Sequence, residues 1–128
     1  MYGRFRFQDR RNSVRLKTVY PVLYTQFDRR GRACGQIPSK SMDISSGGVK
    51  LKSTFPVDDG EILEITMALG PSMVTFRGKV VHVTLSEDQS FEFGIRIEQI
   101  ENQDRIALTR FVIQKYRSAE FDHKVLHN

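Results

Sequence analysis

The chain has 128 residues, 39% hydrophobic and 27% charged, enough for one domain with a modest core. No apolar run approaches the roughly 20 residues of a membrane span. MYGRFRFQDRR at the start lacks the apolar segment of a secretory signal, and a single cysteine, Cys34, excludes an internal disulfide and a cysteine-based metal cluster. A cytoplasmic protein is the expectation. The net charge of +5 is unevenly placed: residues 1–32 carry nine basic and two acidic side chains, and the remaining 96 are slightly acidic. All nine cations but Lys17 are arginine, whose planar fork suits phosphate groups and purine edges. An anionic partner is therefore expected at the N-terminal end.

In chain order, residues 1–15 are polar and arginine-rich, without a clean period, and read as a mobile arm. Residues 16–27, LKTVYPVLYTQF, are dense in β-branched and aromatic residues and read as one strand, with Pro21 implying an edge or a bulge. DRRGR turns the chain, and residues 33–44 read as a second, weakly patterned strand. SSGG interrupts it. VKLKS then resumes with period two, Val49 and Leu51 on one face and Lys50 and Lys52 on the other. Asp59-Gly60 marks a turn. Leu63, Ile65, Met67 and Leu69 alternate toward a core in the fourth strand. Residues 73–85 form a long fifth strand in which Gly78 marks a bulge that shifts the alternation. FEFGIRI sets Phe91, Phe93, Ile95 and Ile97 on one face of the sixth.

The period then changes to that of a helix. Leu108, Phe111, Val112 and Tyr116 share one face between Asn102 and Arg117, with Asn102 as the N-cap. Residues 119–128 are left as a short tail. Six short strands with brief links and a closing helix predict a mainly β fold: a small antiparallel barrel over residues 16–118, with the helix across one mouth.

No catalytic set emerges. His82 lies in a strand and reads as a packing residue. His123 and His127 stand four apart without the glutamate of a zinc-hydrolase pattern, and no nucleophile elbow or phosphate loop occurs. The acid pairs sit in turns, and Cys34 has no histidine partner in sequence. No enzyme activity, metal or cofactor is expected.

Two stretches point to binding. Arg11 and Arg15 stand four apart in RRNSVR, preceded by Arg10, and can converge on one ligand. In DISSGG, Asp43 and Ser45 share a face of a strand end, followed by Gly47 and Gly48, where a ligand can approach the backbone. A carboxylate there can accept two hydrogen bonds from the N1–H and N2–H₂ edge of guanine; the same stretch also reads as a β-bulge loop.

Together, Arg11-x-x-x-Arg15 and Asp43-x-Ser45-x-x-Gly48 resemble the two-part signature of the PilZ domains, bacterial receptors for cyclic di-GMP. All five positions match in order and spacing, and the strands after the second part and the final helix follow in the family's sequence. The resemblance implies a stand-alone, non-enzymatic, six-stranded PilZ-type barrel. It implies that Arg11 and Arg15 contact the ligand's phosphates and a guanine Hoogsteen edge, that Asp43 and Ser45 hold a guanine from the barrel side, and that Gly48 leaves room for it. Arg10 is the further cation of members that take two intercalated ligand molecules. The arm would order on binding, and a downstream partner protein controlling motility, biofilm or exopolysaccharide would read the change. Two other readings stand beside this one. In the first, the barrel binds single-stranded nucleic acid through the interleaved YGRFRF arm, a partner the signature disfavours. In the second, it is a PilZ-like adaptor without a ligand.

Overall fold

Alternation of buried and exposed positions, interrupted at a few bulges, builds the sheet that holds this chain together. The computed structural model describes the backbone of residues 15–127 and the side chains of residues 15–118. Its strands are β1 (Leu16–Lys17), β2 (Pro21–Phe27), β3 (Ala33–Ser45), β4 (Gly48–Ser53), β5 (Ile62–Leu69), β6 (Ser72–Leu85) and β7 (Phe91–Ile100), followed by helix α1 (Asn102–His127). Antiparallel pairing runs β3-β2-β5-β6-β7-β4, and β4 pairs back onto β3, closing a six-stranded barrel. The two-residue β1 adds to the outer end of β3.

The barrel interior is filled by Val22 and Tyr24 of β2, Val49 and Leu51 of β4, Leu63, Ile65, Met67 and Leu69 of β5, Val74, Phe76 and Val80 of β6, and Phe93 and Ile95 of β7. Tyr24 meets Phe93 edge to face at 5.6 Å, and its hydroxyl shares a hydrogen bond of 3.0 Å with the Ser53 Oγ. Helix α1 seals one end through Leu108, Phe111 and Val112, with Phe111 edge to face on Tyr20 at 5.1 Å.

Four details depart from the sequence reading. The strand expected over 16–27 is broken between Lys17 and Pro21. Buried Ser41 occupies the break: its Oγ donates to the Thr18 carbonyl at 2.7 Å and accepts from the Tyr20 amide at 2.8 Å. Pro21, which has no amide hydrogen to donate, begins the new strand rather than marking an edge. A register shift falls at Gly78, as expected, but the extra residue there is not on β6. Gly78 faces an extra residue on β7, Glu98, whereas the extra residue on β6 is Val81. The helix starts one residue early: the Glu101 carbonyl already accepts from the Arg105 amide at 2.9 Å, which makes Glu101 the cap instead of Asn102. It also continues to His127, so residues 119–127, read as a tail, have helical backbone, and Tyr116 is 43% exposed rather than part of the buried stripe.

Two expected outcomes follow from this packing. Phe111→Ala removes the aromatic that ties α1 to the barrel and should lower unfolding free energy by about 3 kcal/mol in a urea titration. The second concerns acid. The Ser90 hydroxyl, together with the Lys52 ammonium and the Ser90 amide, holds the Asp88 carboxyl well below the usual carboxylate range. A depressed folded-state pKa adds stability above the ordinary carboxylate value near pH 4 that is lost as the pH falls through the lowered one. Asp88→Asn should therefore flatten the acid limb of Tm against pH below about pH 4, leaving the neutral limb nearly level.

Candidate functional site

The short strand β1 brings the two halves of the sequence signature together. Its register on β3 places Leu16 opposite Ile44 and Lys17 opposite Asp43, so Arg15, the next residue outward, lies against the end of β3. There its guanidinium donates to the Asp43 carboxylate at 3.1 Å. The arginine is 67% exposed and the aspartate 17%, so the pair contributes little to stability and leaves the guanidinium open to a further acceptor. Arg10 and Arg11 lie outside the described residues.

Ser45 and Gly48 close the β3–β4 hairpin around Ser46-Gly47. The Ser45 hydroxyl is buried within this turn, donating to the Gly48 carbonyl and accepting from the Gly47 amide, each at 3.2 Å. Neither glycine takes a positive φ, so the turn does not need their conformational freedom. What Gly48 supplies is space toward the next strand. A Cβ there would run into the Ile95 carbonyl oxygen, with Arg96 Cα at 3.4 Å. The first demand on this glycine is thus made by the contact of β4 with β7. The turn is also tied outward: the Gly47 carbonyl accepts from the Ile97 amide at 2.9 Å and the Ser46 carbonyl from Arg105 of α1 at 3.4 Å.

Arg15, Asp43, Ser45 and Gly48 line one end of an open groove of about 810 Å³ that continues across the outer face of β4, β7 and β6. Across it, Gly48 faces Arg96, and Lys50 faces Gly94, which in turn faces His82. Sequence reasoning missed Lys50, His82, Gly94 and Arg96. His82 was hidden by the bulge. Val74, Phe76 and Val80 at the even positions of β6 point inward, and only the extra residue Val81 turns His82 out into the groove. The charges are mixed, with Lys50 3.6 Å from Glu92 and Arg96 2.9 Å from Glu98. Among the described residues, no cluster of three or more His, Cys, Asp and Glu is placed to hold a metal ion. No helix among the described residues is long and apolar enough to cross a membrane.

The fold is a closed six-stranded barrel with a helix across one end, and an N-terminal arginine lies against the carboxylate beside a glycine-bearing hairpin. The chain belongs to the PilZ domain family, whose model matches residues 9–114. No curated protein matches it in sequence. Among solved structures, it is similar to the inhibitor of motility MotI/DgrA of Bacillus subtilis, at 19% identity and a TM-score of 0.71 over 87% of this chain and 53% of that one. It is similar to YcgR of Escherichia coli in complex with c-di-GMP, at 14% identity and a TM-score of 0.70 over 91% and 50%. A third likeness is to the MrkH–c-di-GMP complex of K. pneumonia, at 15% identity and a TM-score of 0.70 over 90% and 56%. The chain spans about half the length of each, and at these identities the likeness is one of fold.

The packing role of Gly48 is directly testable. Gly48→Ala should cost about 2 kcal/mol in urea unfolding, because backbone on β7 must move. Gly47→Ala, whose nearest neighbour to an added Cβ is the Ser45 Oγ at 4.0 Å, should stay within about 0.5 kcal/mol of the parent.

Proposed function

We propose that this protein is a non-enzymatic receptor for cyclic di-GMP. The observation that carries the reading is the Arg15–Asp43 contact at the rim of the groove, which joins the two halves of the signature at one place. Two of the structural relatives, YcgR and MrkH, were solved with c-di-GMP bound, which supports the same ligand class here.

Arg11 and Arg15 take the phosphates and a guanine Hoogsteen edge. Bidentate arginine on guanine O6 and N7 is worth roughly 1–3 kcal/mol of discrimination in DNA complexes. Asp43 accepts from the N1–H and N2–H₂ edge of a guanine, exchanging its contact with Arg15 for the ligand. Ser45 and Gly48 hold the hairpin against which the base rests. Arg10 stacks on a second, intercalated ligand molecule, adding cation–π attraction. Binding draws residues 1–15 onto the groove and alters the surface around β1 and β3. A downstream protein in the cytoplasm, controlling motility, biofilm or exopolysaccharide, reads that altered surface.

Calorimetric titration with cyclic di-GMP, with GTP and GMP as controls, tests the assignment. Arg11→Ala, Arg15→Ala and Asp43→Ala should each abolish tight binding while leaving the Tm of the ligand-free protein within about 5 °C, because an exposed ion pair contributes at most about 1 kcal/mol. Near-parental affinity in all three variants would refute it. A one-to-one stoichiometry would remove the second ligand molecule alone.

A further inference from the structure

Gly94 has no structural reason to be a glycine. It lies in the middle of β7, a strand paired on both edges, where glycine costs stability and contributes no packing. Its φ is not positive. A Cβ would point outward, between buried Phe93 and Ile95, and would meet only Val81 Cγ2 at 3.4 Å and His82 Cδ2 at 3.8 Å, both ordinary contacts. The contrast with the other two glycines beside β7 is sharp. An added Cβ would strike backbone at Gly48 and Ile95 Cγ2 at Gly78, so packing accounts for both of them. Packing leaves Gly94 unexplained.

What Gly94 does provide is an opening. Lys50 on β4 and His82 on β6 flank it in direct register, and all three line the groove that begins at Asp43 and Gly48. Two strand spacings of roughly 4.8 Å separate Lys50 from His82. Any side chain at 94 would stand between them and fill the middle of the groove. The bulge at Val81 directs His82 to the same place, so two independent features of the backbone converge on one spot.

We infer that Gly94 is a specificity-determining residue: it leaves the floor on which the half of the ligand distal to Asp43 lies flat, with the His82 imidazole on one side and the Lys50 ammonium on the other. This rests on the cyclic di-GMP reading. A flat purine fits a floor without a side chain, the imidazole offers it a ring contact, and Lys50, held at 3.6 Å from Glu92, is a cation within the groove for a phosphate.

The test is calorimetric titration with cyclic di-GMP of the parent protein, Asp43→Ala, Gly94→Ala and Gly94→Val, with the Tm of each recorded without ligand. Gly94→Val should weaken binding by roughly tenfold to a hundredfold, the range of one overpacked contact, with Gly94→Ala between it and the parent. The Tm of both glycine variants should equal or exceed the parental value, since a strand gains from a side chain there. If Gly94→Val lowers the Tm, Gly94→Ala, whose Cβ has room, decides the matter alone. Parental affinity in the glycine variants with loss in Asp43→Ala overturns this inference and leaves the proposed function standing. No heat with the parent protein overturns both.

Discussion

The close contact of β4 with β7 at Gly48 is the constraint on which the rest of the structure depends. Only a residue without Cβ lets the β4 backbone approach the Ile95 carbonyl, and that approach sets β4 in register with β7 from Gly48–Arg96 to Ser53–Phe91. With β4 seated there, its opposite edge is free to pair with β3, and the barrel closes. The Ser45 hydroxyl then secures the hairpin from inside, so a serine read as a ligand contact is also part of the turn's own hydrogen bonding. The rim of the site and the seam of the barrel are one piece of backbone.

The break between β1 and β2 serves the same rim. A continuous strand over 16–27 would track the bent β3 poorly, because β3 carries a bulge between Ser41 and Asp43. Buried Ser41 satisfies the backbone groups left open at Thr18 and Tyr20. β1 can then pair alone with Asp43 and Ile44, which is what delivers Arg15 to the Asp43 carboxylate. Arg15 and Asp43 are consequently paired at the rim. Under the proposed function, an anionic ligand would meet an arginine already beside Asp43 and could draw that guanidinium to its phosphate.

Helix α1 closes one opening of the barrel with three buried side chains and touches the hairpin through Arg105 and the Ser46 carbonyl. The hairpin is therefore in contact with both the N-terminal strand and the helix. Ser46-Gly47 is thus bonded to β7 through the Ile97 amide and to the helix through Arg105.

The strands of alternating residues, the helix stripe of Leu108, Phe111 and Val112, and the pairing of an arginine motif with an Asp-x-Ser-x-x-Gly turn were all legible in the sequence. The first two are local patterns whose period is carried by neighbouring residues, and the third rests on the resemblance to the PilZ signature. What only the tertiary structure decided is non-local. Which strands meet, and in which register, places Lys50, Gly94 and His82 in one row although 32 positions separate the first from the last. That the extra residue of β6 is Val81 rather than Gly78 was settled only by the pairing with β7. The reason Gly48 must be glycine lies in a carbonyl 47 residues further along the chain. Side-chain period is a property of the chain, whereas register and close approach belong to the pairs of strands that folding brings together.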